Sequence, residues 1–231
     1  MRSRSFVALV VAVLTGCTTA ATPPARTSPE SPAPPAASDP RVAAPDSPPR
    51  WQAGDRWVYE LSSSGQTVTR TIDVADVETV NGVKYYVANI GDVQMYFTTE
   101  LHWAATMRNS KVQERMVPPQ PLYVWPLQVG RRWTHRGTFE ESQGRHEQVH
   151  RFVVLGVETV DVPAGRFQAF KILHESDDKE ADQYWYAPEV GSHVRWVGRR
   201  GDIEFEERLQ AYNFAARPNN ARWPTNRSSL R

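Results

Sequence analysis

Residues Val77–Ile90 read VETV-NG-VKYYVANI. Two runs rich in β-branched and aromatic residues, Val77–Val80 and Val83–Ile90, flank Asn81-Gly82. Both turn residues tolerate the positive φ of a type I′ turn, whose twist matches that of paired strands, so the stretch predicts a β-hairpin. Just upstream, Thr67–Val74 (TVTRTIDV) sets Val68, Ile72 and Val74 on one face and the threonines and Asp73 on the other. That is the period of two expected of a strand with one covered face.

The same pattern continues toward the C-terminus. Gln148–Val160 forms a long strand candidate, and Val162-Pro163-Ala164-Gly165 turns it into Phe167–Leu173. Tyr184–Tyr186, Val194–Val197 and Ile203–Tyr212 follow, separated by Pro188–Gly191 and Arg199–Asp202. Leu101–Lys111 is the one ambiguous piece, and no long amphipathic helix is evident. There is also an internal echo. Gly54-Asp55-Arg56-Trp57 returns as Gly130-Arg131-Arg132-Trp133, and Val77-Glu78-Thr79-Val80 returns as Val157-Glu158-Thr159-Val160. Two ordered matches at a spacing of roughly eighty residues point to a duplicated unit. The expected fold is all-β: an antiparallel open or incomplete barrel built from two similar halves (about 51–116 and 117–215), with little helix.

Before this domain the chain changes character. Thr18–Arg50 is dominated by Pro, Ala and Ser and has almost no large apolar residue. Such a segment cannot bury enough surface to offset its ordering entropy, and its prolines favour an extended spacer. At ~3.1 Å per residue the contour is on the order of 100 Å. Ahead of it stands MRSRSFVALVVAVLTGC: a basic start at Arg2 and Arg4, a short apolar run Phe6–Leu14, then Leu14-Thr15-Gly16-Cys17. The apolar run is about half the ~20 residues a membrane span needs. This arrangement resembles the signal peptide and lipobox of bacterial lipoproteins. The resemblance implies removal of residues 1–16, acylation of Cys17 and a membrane partner reached through the lipid. Arg2 and Arg4 are not adjacent, which favours the general secretory route. Thr18 stands where the family places Asp for inner-membrane retention, so the resemblance implies an outer-membrane lipoprotein facing the periplasm.

A second resemblance lies in VDVPAGRFQAFKI (Val160–Ile172) and QYWYAPEVGSHVRW (Gln183–Trp196). These resemble uncharacterised bacterial envelope proteins of the domain-of-unknown-function type. That group is similar in outline to the barrels of the outer-membrane lipoprotein carrier and receptor (LolA/LolB-like). The likeness implies an incomplete barrel with an apolar interior, and no activity.

Composition narrows the chemistry. Cys17 is the only cysteine, so internal disulfides, thiol nucleophiles and Cys-type zinc sites are excluded. The formal charge of +1 gives no basis for nucleic-acid binding. The tail, residues 216–231, carries Arg217, Arg222, Arg227 and Arg231 with no acid and reads as a flexible basic terminus. Of the six histidines, His146 and His150 have i,i+4 spacing. On a strand that separates them by ~13 Å, so no shared metal ion is expected. Glu175–Asp182 (ESDDKEAD) reads as a solvated hairpin tip, and Glu140-Glu141 offers only one carboxylate to the face of His146. No GxSxG, Walker or Rossmann pattern occurs, and no enzyme or cofactor is expected. Aromatics are the remaining signal. Tyr123, Trp125 and Trp133 sit among the prolines of Val117–Trp133, and with Trp103, Trp185 and Trp196 they are the candidate lining of an apolar pocket. Two functions stay open at this level: a non-catalytic module binding a lipid or other apolar envelope component, or a scaffold docking an envelope protein through a barrel rim or sheet edge.

Replacement of Cys17 by Ala should reduce incorporation of labelled palmitate to background. Labelling at the wild-type level would place the acyl chain elsewhere or remove it from the account.

Overall fold

The computed structural model describes residues 44–177 and 181–217. Cys17, the signal segment, most of the linker and the tail after Arg217 lie outside the described residues. Within them the regular structure is entirely β. Six strands come first: β1 (Arg56–Ser63), β2 (Gln66–Val80), β3 (Val83–Ile90), β4 (Val93–Thr98), β5 (His102–Arg108) and β6 (Lys111–Pro121). Six more follow: β7 (Arg132–Glu141), β8 (Gly144–Val162), β9 (Gly165–Ser176), β10 (Ala181–Ala187), β11 (Ser192–Arg200) and β12 (Ile203–Asn213). Each strand pairs antiparallel with its sequence neighbours, an up-and-down meander.

The barrel is closed, which corrects the open or incomplete barrel expected from sequence. β1 pairs with β12 from Arg56↔Asn213 to Ser63↔Phe205. Alternation within a strand tells which residues face inward, but it does not say which distant strand completes the ring. The pairing satisfies the outer backbone groups of the first and last strands and leaves neither as an edge. Leu101–Lys111, ambiguous in sequence, forms β5 and the start of β6, turning at Asn109-Ser110 with φ of 50° and 60°. The Asn81-Gly82 turn has φ of 51° and 80°, as a type I′ hairpin needs.

The duplication is visible in backbone bonding. In the first half Gly54 N donates to Val74 O (2.8 Å) and Val74 N to Asp55 O (2.8 Å). In the second, Gly130 N donates to Val154 O (2.8 Å) and Val154 N to Arg131 O (2.9 Å). Gly54 and Gly130 have φ of 93° and 83°, which suits glycine. In both halves a bulge follows at once, between Val74 and Asp76 and between Val154 and Gly156. The repeated Gly-x-Arg-Trp and Val-Glu-Thr-Val quartets therefore frame one local device used twice.

The junction of the halves is set by proline. The β6–β7 ladder runs from Glu114↔Glu141 only to Val117↔Thr138. Pro118, Pro119 and Pro121 follow, and none has an amide hydrogen to continue it. The chain then turns inward through Leu122–Arg131, and buried Tyr123 and Leu127 close one end of the barrel. A second segment joins them. Leu127 N donates to Pro45 O (3.1 Å), Pro49 is buried, and Trp51 Nε1 donates to Gly191 O (2.9 Å). The last residues of the proline-rich run are thus built into the base. Arg217, assigned by sequence to the tail, bonds Arg50 O (2.8 Å) and Asp55 Oδ2 (3.2 Å) at the same end.

Gly198 of β11 tests the packing between strands. A Cβ there would lie 2.1 Å from Asp182 Oδ1 and 2.6 Å from Cζ of Phe205. Gly198→Ala should cost about 1–3 kcal/mol by overpacking. The check is the urea midpoint of the mature chain, which an unstrained site would leave unchanged.

Candidate functional site

Above the aromatic base the barrel contains a cavity of about 340 Å³. Its walls differ in chemistry because inward positions on the two sides of the ring carry different residues. On the side of β2 to β5 the wall is apolar: Ile72, Ile90, Met95, Phe97 and Trp103, with Leu101 near the base. On the side of β8 to β11 it is polar: Gln148, His150, His174, Ser176, Asp182 and Arg200. Trp51 and Tyr123 lie at the floor, and half-buried Ile90, Met95 and Glu114 stand toward the opposite end, near the β3–β4 and β5–β6 turns.

The polar wall is a hydrogen-bonded row crossing four strands. His146, Gln148 and His150 share the inner face of β8 at a spacing of two. Gln148 bridges His146 (3.1 Å) and His150 (3.1 Å). His150 Nδ1 and His174 Nε2 are 2.9 Å apart, and Asp182 Oδ2 accepts from His174 Nδ1 at 3.4 Å. Arg200 donates to both Asp182 oxygens, at 2.7 and 3.0 Å. Burial by itself would raise the pKa of Asp182. The hydrogen bonds and charge of His174 and Arg200 outweigh it and hold the carboxyl below its ordinary range. Asp182 is only 3% exposed, so the sequence reading of Glu175–Asp182 as a solvated tip is corrected at its last residue. Residues 178–180 of that segment lie outside the described residues.

A second buried group sits lower. Glu207 of β12 accepts from Arg70, and its Oε2 is 3.2 Å from His193 Nε2. Burial would again raise this carboxyl, but the Arg70 charge and the His193 hydrogen bond lower it. His193 stacks on Tyr59 with ring centroids 4.5 Å apart. Tyr59 donates to His193 O at 2.9 Å. Burial pushes the Tyr59, Tyr123, Tyr184 and Tyr186 phenols up, so they remain protonated donors. Tyr184 uses its hydroxyl to hold Leu122 O at 3.2 Å, fixing the floor to β10.

The six aromatic candidates divide. Trp103, Tyr123 and Trp196 line the cavity. Trp125 packs on Tyr123 and Tyr186 in the floor, with centroids 5.8 and 5.6 Å away. Trp133 stacks on Phe152 at 4.9 Å and donates to Pro121 O, fastening the start of β7 to the end of β6. Trp185 alternates with inward Tyr184 and Tyr186 and so faces outward. It is covered by Lys171 and Arg195 over its ring and bonded to Glu158 Oε2 at 2.8 Å. Sequence reasoning missed Arg70, His174, Asp182, Arg200 and Glu207. Strand alternation contains the signal: Asp182 shares the parity of Tyr184, His174 that of Phe170 and Ile172, and Glu207 that of Phe205 and Leu209.

Ser176 Oγ has no hydrogen-bond partner among the described residues, and Ser192 is bonded to Tyr59, so neither serine of the lining is coupled to a histidine. No group of three His, Cys, Asp or Glu among the described residues could hold a metal ion. Glu140, considered beside His146, is paired instead with Arg115 at 2.6 Å.

No family model matches the chain, and no curated protein matches it. Among solved structures it is similar to a candidate lipoprotein of Parabacteroides distasonis, with 13% identity and a TM-score of 0.39 over 75% of this chain and 100% of that one. It is also similar to a candidate exported protein with a YmcC-like fold from Bacteroides fragilis, at 16% identity and TM-score 0.44 over 74% and 100%. A third is the hypothetical lipoprotein YmcC of Escherichia coli, at 12% and 0.34 over 68% and 84%. Likeness at this level concerns fold outline and carries no argument about activity. The incomplete LolA/LolB-like barrel implied by the sequence motif is replaced here by a closed one.

The polar row predicts an acid response. Burial, then the nearby His174 and His135, lower the His150 pKa from 6.5 to about 4. In the unfolded chain His150 takes its proton near 6.5, so between 6.5 and about 4 the unfolded state binds more protons and stability falls as pH falls. His135 acts in the same direction, and Asp182 and Glu207 add losses at lower pH. His150→Gln should flatten the decline of the urea midpoint across this window. Equal slopes in both proteins would remove His150 from the explanation.

Proposed function

We propose that the chain is a non-catalytic lipoprotein of the bacterial envelope, anchored through Cys17, facing the periplasm from the outer membrane, and holding a lipid or other apolar envelope component inside its barrel. The observation that supports this is the unfilled interior. A disulfide-free domain gains stability by packing its core, yet here about 340 Å³ remains above a densely packed floor. That volume is at the lower end of the range of small-molecule sites, ~300–1,000 Å³. Apolar side chains on one wall supply the burial that drives binding, and the fixed polar row on the other supplies orientation. The alternative, a scaffold docking partners through a barrel rim or sheet edge, loses its first and last sheet edges to the β1–β12 closure and is left with the rim.

The test is native mass spectrometry of the mature chain, residues 17–231 with Cys17→Ala, secreted behind a cleavable signal and purified without detergent. The wild-type barrel should carry an added mass of lipid size. Ile90→Trp, which fills the cavity from its apolar wall, should lose it while keeping its urea midpoint. A bare protein mass in the wild type would overturn the reading.

A further inference from the structure

The charges around the cavity restrict what can enter it. Two arginines line it, and each is already matched by a buried carboxylate: Arg70 by Glu207 and Arg200 by Asp182. His150 is held neutral near pH 7 by its burial. One acid is left over. Glu114 on β6 lines the cavity and has no ion pair or hydrogen bond among the described residues; burial and Glu141 both raise its pKa. An entering carboxylate or phosphate would therefore meet no cation that is not already engaged with an acid, and would face Glu114. Moving an anion out of water without a new partner is strongly unfavourable.

The wall is nonetheless incompletely bonded. Trp103 Nε1, Trp196 Nε1 and Ser176 Oγ are buried without hydrogen-bond partners among the described residues, and all three residues line the cavity. An indole N–H can only donate. Two such donors stand on opposite sides of the barrel, Trp103 on β5 and Trp196 on β11, and call for acceptor oxygens; the paired arginines and Glu114 restrict these to oxygens that carry no formal charge. Buried donors left unpaired are costly, so a ligand that supplies acceptors gains what the empty wall lacks. The apolar wall opposite the histidine row is aliphatic and thioether as well as aromatic, which suits a hydrocarbon chain better than the flat face of a sugar. The volume suits one chain, not a two-chain phospholipid.

Resting on the reading of the barrel as a lipid-binding module, we propose that its ligand is an uncharged single-chain amphiphile with ester or hydroxyl oxygens. The chain lies along Ile72, Ile90, Met95 and Phe97, and the acceptor oxygens take hydrogen bonds from Trp103 and Trp196.

The experiment is tryptophan-fluorescence or calorimetric titration of the delipidated mature chain, near neutral pH, with a monoacylglycerol and with the fatty acid of the same chain length. The monoacylglycerol should bind saturably and the fatty acid at least tenfold more weakly. Trp103→Phe and Trp196→Phe keep an aromatic ring but lose the donor, and each should weaken monoacylglycerol binding about two- to tenfold. Glu114→Gln should improve fatty-acid binding and leave the monoacylglycerol unaffected. Near-UV circular dichroism separates these effects from misfolding, and Glu114→Gln, at a half-buried position, keeps the test open if a tryptophan variant fails to fold. Equal binding of both lipids, with no response to Glu114→Gln, would overturn the neutral-ligand proposal but leave the lipid-binding reading intact. Binding of neither lipid by a barrel that still co-purifies with another lipid mass would overturn the proposal alone. Binding that Ile90→Trp does not affect would overturn both.

Discussion

A closed ring of twelve strands encloses more space than its own inward side chains can fill. With about eight strands, side chains just fill a barrel; wider rings need a plug or stay hollow. This chain does both, at opposite ends. Trp51, Tyr123 and Leu127, from segments outside the ladder, occupy the base, and the space above them remains. Most of what distinguishes this molecule follows from that excess of width. The proline-terminated β6 releases the chain that becomes the plug. The residues ahead of β1 are recruited to it. The unplugged part is lined by an apolar wall on one side and a paired polar row on the other.

The polar half of that lining illustrates a general condition. Inside a barrel a charged group is stable only when paired, since desolvation otherwise dominates. Asp182 is held by Arg200 and His174, and Glu207 by Arg70 and His193. Both groups link neighbouring strands at positions where an apolar residue would otherwise stand. Pairs of this kind contribute little to net stability compared with hydrophobic replacements, but breaking one partner is severe. They fix the register between β9, β10, β11 and β12 and keep the histidine row in one arrangement.

Much of the fold was legible because its signals are local. Asn81-Gly82 specifies a turn by its allowed φ, and the alternation of Ile72 and Val74 specifies a covered face. The two Gly-x-Arg-Trp quartets announced a duplication that the paired bulges after Val74 and Val154 reproduce. What could not be read was non-local. Closure depends on β1 meeting β12 more than a hundred residues later, and no single stretch encodes that meeting. The site was half legible for a related reason. Trp103, Tyr123 and Trp196 reach the cavity, whereas Trp133 and Trp185 are consumed in fastening strands and covering the outer face. An aromatic residue reveals that it will be buried, not what it will be buried against. Asp182 and Glu207 were overlooked because acidic residues are normally solvated, although their strand parity placed them inside.

Antiparallel strands in even number bring the chain out where it went in. Gln52 Nε2 reaches Ala215 O at 3.0 Å, and Arg217 holds Arg50 O. Entry and exit are therefore side by side at the plugged base, with the β1–β2 and β11–β12 turns at the far end. Both ends of the described fold are thus fastened to each other at one end of the barrel, so a change made at Arg50 or at Arg217 is felt at the same place.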